Sequence, residues 1–111
     1  TKNQYREEDA GNPVNFYGKS KLEAETMLRQ SGIPHSIIRT ILVYGVLRNH
    51  HRSNILTWVY DSLTAGKAIK VVDDQSRCPT LVDDLADTIL FAAKEKKEGI
   101  YHVCGKENLS V

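Results

Sequence analysis

The chain has 111 residues, a hydrophobic fraction of 41% and a formal net charge of +1. This length suits one compact domain or part of a larger one, and the apolar content excludes a disordered segment. Lys and Arg are spread along the chain, which argues against a concentrated basic surface for nucleic acid. The longest apolar runs are too short to span a bilayer. We therefore expect a globular cytoplasmic protein with neither nucleic acid nor a membrane as its partner.

The first predicted helix follows a polar loop at residues 1–12. Asn12 is a suitable N-cap and Pro13 suits the first helical position. An apolar stripe continues to Leu28, and Gly32 can end the helix in the left-handed conformation. Residues 36–40 then form a continuous β-branched run, which is typical of a parallel strand covered on both faces.

The second half of the chain continues the alternation of helices and strands. We predict a polar loop at 47–52, a helix at 55–65, a strand at 69–72 and a last strand at 100–103. Thr80 and Asp83 resemble a capping box that opens a third helix. This order indicates an α/β fold. No glycine-rich phosphate cradle follows any of the strands, so the chain looks like part of a larger protein.

Tyr17 and Lys21 are the residues that most clearly suggest chemistry. They are four residues apart on the predicted helix, so both side chains lie on one face. A phenol alone is a poor acid at neutral pH, and a neighbouring ammonium favours its ionised form. Such a pair can pass a proton to or from a carbonyl oxygen. The spacing alone is common, however, and also fits a solvated tyrosine beside a surface lysine.

Other polar residues suggest sites less directly. Arg48, Arg52 or Asn54 could contact a pyrophosphate, although a solvated loop explains them as well. His50 and His51 have no Cys, Asp or Glu at ligand spacing, so we predict no metal site.

The chain contains two cysteines, Cys78 and Cys104, in different segments. One disulfide between them is possible, but two free thiols in a reducing compartment are favoured. His102 is expected to be a hydrogen-bonded core histidine.

Four collinear blocks carry a family resemblance that covers nearly the whole chain. The first is Tyr5-Arg6-Glu7-Glu8-Asp9, Pro13 and Tyr17-Gly18-Lys19-Ser20-Lys21 with Glu25; the others are Arg39-Thr40 with Val43-Tyr44-Gly45, Asp74-Gln75 with Pro79-Thr80 and Val82-Asp83-Asp84, and Gly99-Ile100-Tyr101-His102-Val103. Together they resemble the extended short-chain dehydrogenase/reductase superfamily. The Asp-Gln and Pro-Thr block is similar to the dTDP-4-dehydrorhamnose reductase branch, which also contains the regulatory subunit of methionine adenosyltransferase.

The resemblance implies the C-terminal part of a Rossmann-like doubly wound parallel sheet with a small substrate-binding subdomain. Residues 1–45 would carry the catalytic helix of the NAD(P)-binding region, and residues 46–111 would mainly bind substrate. It implies NADPH or NADH as cofactor and a nucleotide-linked 4-keto sugar as substrate. It also implies Tyr17 as general acid, Lys21 as its helper and holder of the nicotinamide ribose, and Thr40 beside the cofactor.

Three further implications concern the substrate and the partners. Leu42 occupies the position where reductases often have a sugar-contacting Trp, and Arg77 resembles an arginine that binds phosphate in nucleotide-sugar epimerases. A catalytic Ser or Thr is expected upstream of Thr1, so residues 1–111 alone are expected to be inactive without the N-terminal half. A homodimer is possible. A non-catalytic regulatory subunit and an epimerase or dehydratase are the alternatives.

Overall fold

The computed structural model describes residues 5–46 and 54–110. Within these residues the chain forms three helices and six short strands: α1 (Phe16–Gln30), β1 (Ser36–Arg39), β2 (Val43–Tyr44), α2 (Ile55–Thr64), β3 (Ser76–Arg77), β4 (Thr80–Leu81), α3 (Val82–Lys94), β5 (Gly99–His102) and β6 (Leu109–Ser110). They belong to two compact units. The first unit comprises Thr1–Arg39 and Phe91–His102, and the second comprises Thr40–Leu90 and Val103–Val111.

Helix α1 of the first unit begins three residues later than its sequence suggested. Asn15, not Asn12, is the N-cap, because its side-chain oxygen accepts the Gly18 N–H at 2.8 Å. Pro13 therefore lies in the preceding loop. It lies close to Gly18, since a Cβ added at Gly18 would be only 2.9 Å from the Pro13 Cβ. The predicted stop is correct, since Gly32 has a φ of +71°.

Strands β1 and β5 form the sheet of the first unit. They pair in parallel, with Ile37 opposite Ile100 and Arg39 opposite His102. Ile37 and Ala92 of α3 are the buried hydrophobic residues of the described chain, at 8% and 7% exposure. The predicted parallel strand is therefore confirmed, although Ile38 and Arg39 are only half-buried.

The second unit contains two further strand pairs and α2. Strands β2 and β4 pair in parallel, whereas β3 and β6 pair in antiparallel fashion. Helix α2 confirms the predicted helix at 55–65: Asn54 and Thr57 form a reciprocal capping box, and Gly66 has a φ of +65° at its end.

Two local predictions for the second unit are wrong. Thr80 does not cap α3, because it lies in β4 and is only 2% exposed. Residues 69–72 form no strand, since Val71 and Val72 are about half exposed and have no strand partner in the described part of the chain. Strands β2, β3, β4 and β6 were not predicted, because two residues are too few to show a pattern.

The prediction of an α/β fold is confirmed. Helices alternate with strands along the chain, and two of the three strand pairings between described residues are parallel. In residues 5–46 and 54–110, no helix is long and apolar enough to cross a bilayer. The division of function between residues 1–45 and 46–111 stays a prediction.

Candidate functional site

Tyr17 and Lys21 lie one turn apart on α1 of the first unit. The Lys21 Nζ lies over the Tyr17 ring, 5.4 Å from its centroid, which is within the range of a cation–π contact. Tyr17 is 69% exposed, so its hydroxyl is available to a ligand rather than held in an apolar core. The structure therefore brings together the two residues that the sequence suggested for proton transfer.

Lys21 also lines a cavity of about 250 Å³ in the first unit. The cavity lies between the loop that precedes α1 and the α1 surface, where Pro13 and Gly18 contribute to its wall. Glu25 and Arg39 line it as well. A cationic side chain at the edge of a cavity can reach a polar ligand in it.

Glu25 and Arg39 form a bidentate ion pair beside this cavity. The Arg39 Nε donates to Glu25 Oε1 at 2.8 Å, and Nη2 donates to Oε2 at 2.7 Å. The two side chains are 17% and 27% exposed, respectively. The hydrogen bonds from Arg39 hold the pKa of Glu25 below its usual value, and those to Glu25 raise the pKa of Arg39. This pair fixes α1 against β1.

His102 and Glu7 extend the polar network of Arg39. The His102 Nε2 lies 3.4 Å from Arg39 Nη1, and the His102 backbone N–H donates to Glu7 Oε1 at 3.0 Å. That backbone hydrogen bond is the main reason that the pKa of Glu7 is lowered. His102 is half-buried and hydrogen-bonded, as the sequence suggested.

Sequence reasoning missed this network as a unit. Glu25 and Arg39 belong to the family blocks, but the sequence analysis did not predict that they form a pair. The available signal was a charged Arg39 at the end of an otherwise apolar strand, since such a residue needs a partner when it is partly buried.

In the second unit, Thr40 and Leu42 are both connected to Thr80. The Thr40 hydroxyl donates to Thr80 Oγ1 at 3.1 Å, and the Leu42 carbonyl accepts the Thr80 N–H at 3.1 Å. The Thr80 hydroxyl itself donates to the Ile41 carbonyl at 2.8 Å. Leu42 has a φ of +46°, a left-handed conformation that is unfavourable for a branched side chain.

Arg77 and Asn54, the other predicted substrate residues, make local hydrogen bonds. Arg77 donates from Nη2 to Gln75 Oε1 at 2.6 Å and from Nη1 to the Ser76 carbonyl at 3.1 Å. Asn54 donates from Nδ2 to the Gly45 carbonyl at 2.7 Å, in addition to its capping role. Each amide and guanidinium group retains unused hydrogen-bonding capacity. Their substrate roles stay predictions.

The remaining predictions concern the polar loop, a metal site and the two cysteines. Arg48, His50, His51 and Arg52 lie outside the described residues. Among the residues that are described, no group of three or more His, Cys, Asp or Glu side chains could hold a metal ion. Cys78 and Cys104 are free thiols.

Two curated proteins show what the chain resembles in sequence. The Bacillus subtilis spore coat polysaccharide biosynthesis protein SpsK is 36% identical over 89% of this chain and 33% of its own length. The methionine adenosyltransferase 2 subunit beta of Bos taurus is 32% identical over 96% of this chain and 33% of its own length. The chain therefore spans about a third of the length of these relatives.

Two solved structures share the fold. A dTDP-4-dehydrorhamnose reductase from Clostridium acetobutylicum has a TM-score of 0.87 and 32% identity, with 99% of this chain and 38% of that chain covered. The Bacillus anthracis dTDP-4-dehydrorhamnose reductase, solved in complex with NADP, has a TM-score of 0.84 and 30% identity, with 94% and 36% covered. The architecture thus matches the C-terminal part of a Rossmann-type reductase fold, as predicted.

A family model also matches the chain from its first residue to its last. That model describes the RmlD substrate binding domain and covers residues 1–111. The match agrees with the reductase resemblance of the four sequence blocks and with the parallel strand pairings. The chain belongs to the RmlD substrate binding domain family.

Proposed function

We propose that the protein containing this chain is an NAD(P)H-dependent reductase of a nucleotide-linked 4-keto sugar. The observation that carries the proposal is the Tyr17–Lys21 pair, with Nζ 5.4 Å from the ring centroid and the phenol exposed. Family membership and the two reductases of similar fold support the same reaction class.

In the proposed reaction, Tyr17 supplies the proton. Its Oη donates a proton to the carbonyl oxygen of the sugar, so that the ketone becomes an alcohol. The Lys21 ammonium stabilises the phenolate that remains, because a positive charge close to the ring favours the ionised form. When bound, a reduced nicotinamide supplies the hydride for the carbonyl carbon.

The residues of this chain fit part of a nicotinamide cofactor. Lys21 lines a cavity and retains donors for ribose hydroxyls, and the exposed Tyr17 lies one turn before it on α1. Thr40 of the second unit, whose hydroxyl donates to Thr80, is assigned a cofactor contact on the family resemblance alone. Residues 1–111 contain no glycine-rich turn for the pyrophosphate. We therefore assign the phosphate contacts to other parts of the protein.

Substrate binding is assigned to residues of the second unit. Arg77 is half-buried, and its guanidinium has donors beyond those used by Ser76 and Gln75, so it can bind the diphosphate of a nucleotide sugar. Leu42 is proposed to contact the sugar, and Asn54 to donate to a phosphate or hydroxyl oxygen. These assignments rest on the family resemblance and on the local hydrogen bonding.

The test replaces Tyr17 in the full-length protein. With a dTDP-linked 4-keto sugar and NADPH, Tyr17→Phe should lower kcat by about 10²–10⁴-fold, the usual contribution of a general acid. NADPH affinity should stay unchanged, because Lys21 remains. Tyr60→Phe is the matched control, since Tyr60 is a 70% exposed tyrosine on another helix. A Tyr17→Phe turnover within threefold of wild type would exclude Tyr17 as the proton donor.

A non-catalytic regulatory role is the second candidate. It is favoured by the 32% identity to the methionine adenosyltransferase 2 subunit beta. Retention of both Tyr17 and Lys21 favours the enzyme. If the wild-type protein binds NADPH, reduces no nucleotide-linked 4-keto sugar and instead binds a methionine adenosyltransferase, the regulatory function replaces the reductase.

A further inference from the structure

One buried residue, Thr80, holds the segment 40–42 of the second unit. Thr80 is 2% exposed and lies in β4, opposite Val43 of β2. Its backbone N–H donates to the Leu42 carbonyl at 3.1 Å, and its hydroxyl donates to the Ile41 carbonyl at 2.8 Å. Two consecutive carbonyl groups of this segment are therefore fixed by the same residue.

Leu42, in this segment, has a backbone conformation that its own side chain disfavours. Its φ of +46° lies in the left-handed region, where the bulky side chain of leucine crowds the backbone. Such strain persists only where the surrounding structure imposes it, and it concentrates at ligand sites. The hydrogen bond from the Thr80 N–H to the Leu42 carbonyl supplies a restraint of this kind. Segment 40–42 is therefore held in a single strained conformation by Thr80.

The acceptors around the Thr80 hydroxyl determine the direction of each hydrogen bond that it makes. A threonine hydroxyl has one proton to donate and two lone pairs that accept. Because the Ile41 carbonyl can only accept, the Thr80 proton must lie between these two oxygen atoms. The Cys78 carbonyl, 3.5 Å from the same hydroxyl, is also only an acceptor. The contact of 3.1 Å between the Thr40 and Thr80 hydroxyl oxygens therefore uses the proton of Thr40.

The Thr40 hydroxyl consequently offers a ligand only an acceptor. Its one proton is donated to the buried Thr80 oxygen, whereas Thr40 itself is exposed and keeps two lone pairs for a ligand. An oxygen with lone pairs alone attracts an N–H or O–H group and repels the oxygens of an ionised phosphate or carboxylate, which carry no proton to donate. The chemistry at this position therefore selects a hydrogen-bond donor.

We propose that Thr80 is a positioning residue, which orients the Thr40 hydroxyl as an acceptor for an N–H or O–H group of a bound ligand. This inference rests on the proposed function and names the ligand chemistry that Thr40 accepts. Two groups have that chemistry: the carboxamide N–H of a nicotinamide and a hydroxyl of the nucleotide-linked sugar. The diphosphate of the nucleotide sugar does not, because its ionised oxygens have no proton to donate to Thr40.

Equilibrium binding to the full-length protein tests the acceptor role of Thr40. The dissociation constants of NADPH and of a dTDP-linked 4-keto sugar are measured separately. Thr40→Val should weaken the binding of one or both ligands by about 3–10-fold, the usual contribution of one neutral hydrogen bond, and Thr40→Ser should restore it. Thr64→Val is the matched control, since Thr64 is an exposed threonine at the end of α2. A loss for NADPH supports a carboxamide donor and a loss for the sugar supports a hydroxyl donor, whereas unchanged binding of both ligands overturns the proposal.

A ligand without the donor separates a hydrogen bond from simple packing. For the cofactor, this probe is the reduced acetylpyridine analogue of NADPH, whose ketone replaces the carboxamide and has no N–H. For the sugar, it is the analogue that lacks the hydroxyl. Thr40→Val should weaken the parent ligand and leave the affinity for its analogue unchanged. Equal losses for the parent ligand and the analogue would overturn the acceptor role.

A double variant tests whether Thr80 acts through Thr40. Thr80→Val frees the Thr40 hydroxyl to rotate, so it should weaken the same ligand by about twofold or more, and Thr80→Ser should bind like wild type. The loss in Thr40→Val/Thr80→Val should equal that of Thr40→Val alone, because both changes affect one interaction. Additive losses would overturn the positioning role. Thr80→Ala removes the same oxygen and replaces Thr80→Val if that variant does not fold.

These measurements are independent of turnover. A protein that binds both ligands without reducing the ketone contradicts the proposed reaction, whereas the comparison of Thr40 and Thr80 variants still decides the positioning role. A wild-type protein that binds neither NADPH nor the nucleotide-linked sugar contradicts both proposals.

Discussion

Removal of the Glu25 charge should destabilise the protein by an amount that depends on pH. Glu25→Gln keeps the side-chain shape but replaces two charge-assisted hydrogen bonds, of 2.8 and 2.7 Å, with at most one neutral acceptor for Arg39. Breaking a fully buried pair costs about 3–5 kcal/mol, and an exposed pair contributes about 0.2–1 kcal/mol. With side-chain exposures of 17% and 27%, the loss should lie between these limits, at about 2 kcal/mol near pH 7.

The pH dependence follows from the direction of the Glu25 pKa shift. Its folded-state pKa is lowered from 4.5, so the pair stabilises the fold fully above pH 4.5 and loses its contribution as the pH falls through the lowered value. The raised pKa of Arg39 lies above the working range and adds no pH dependence there. The difference in unfolding free energy between wild type and Glu25→Gln should therefore be constant from pH 5 to 8 and shrink below pH 4.5.

Urea unfolding of the full-length protein at several pH values measures this difference. Glu23→Gln is the matched control, because Glu23 is an exposed carboxylate on the same helix. Its unfolding midpoint should remain within error of wild type. If Glu25→Gln has the wild-type midpoint at pH 7, or if its deficit is undiminished at pH 3, the ion pair does not stabilise the fold in the way described.

Three more predictions follow from the second unit and from the proposed function. Thr80→Val should lower the unfolding free energy by about 1–3 kcal/mol, because the Ile41 carbonyl loses its hydrogen-bond donor. Thr80→Ser keeps that hydroxyl and should retain most of the wild-type unfolding free energy, so equal losses in both variants would contradict this role of the hydroxyl. Arg77→Ala should raise the KM for the nucleotide sugar by about 10–100-fold, whereas an unchanged KM would exclude a diphosphate contact. Calorimetric titration of residues 1–111 alone with NADPH should show no binding tighter than about 1 mM and no turnover, and micromolar binding would place the cofactor site within this chain.

The sequence determined the three helices, strands β1 and β5, and the pair of residues proposed for catalysis. Helix α2 was predictable because Asn54 and Gly66 are strong local signals for its two ends. The helical spacing of Tyr17 and Lys21 was sufficient to place their side chains together, since residues four apart meet on one face. These properties depend on the chain within a few residues of each position.

At the start of α1 and at Thr80, the sequence allows more than one local structure, and the surrounding residues determine which one forms. Asn12-Pro13 and Asn15 are both acceptable helix starts, and only the Asn15 oxygen reaches a free N–H of α1. Thr80 has the sequence of a helix cap, yet it lies in a strand, because it pairs with β2 and forms hydrogen bonds with residues 40 and 39 positions earlier. The Thr80 hydroxyl donates to the Ile41 carbonyl and does not cap α3.

Only the tertiary structure joined residues that are far apart in the chain. The Glu25–Arg39 pair and the contact of Glu7 with His102 span 14 and 95 positions. Local propensity carries no information about such pairs, because their energy depends on which strands and loops become neighbours after the parallel sheet of β1 and β5 has formed. The charge of each side chain can be read from the sequence, whereas its partner is fixed by the packing of the fold.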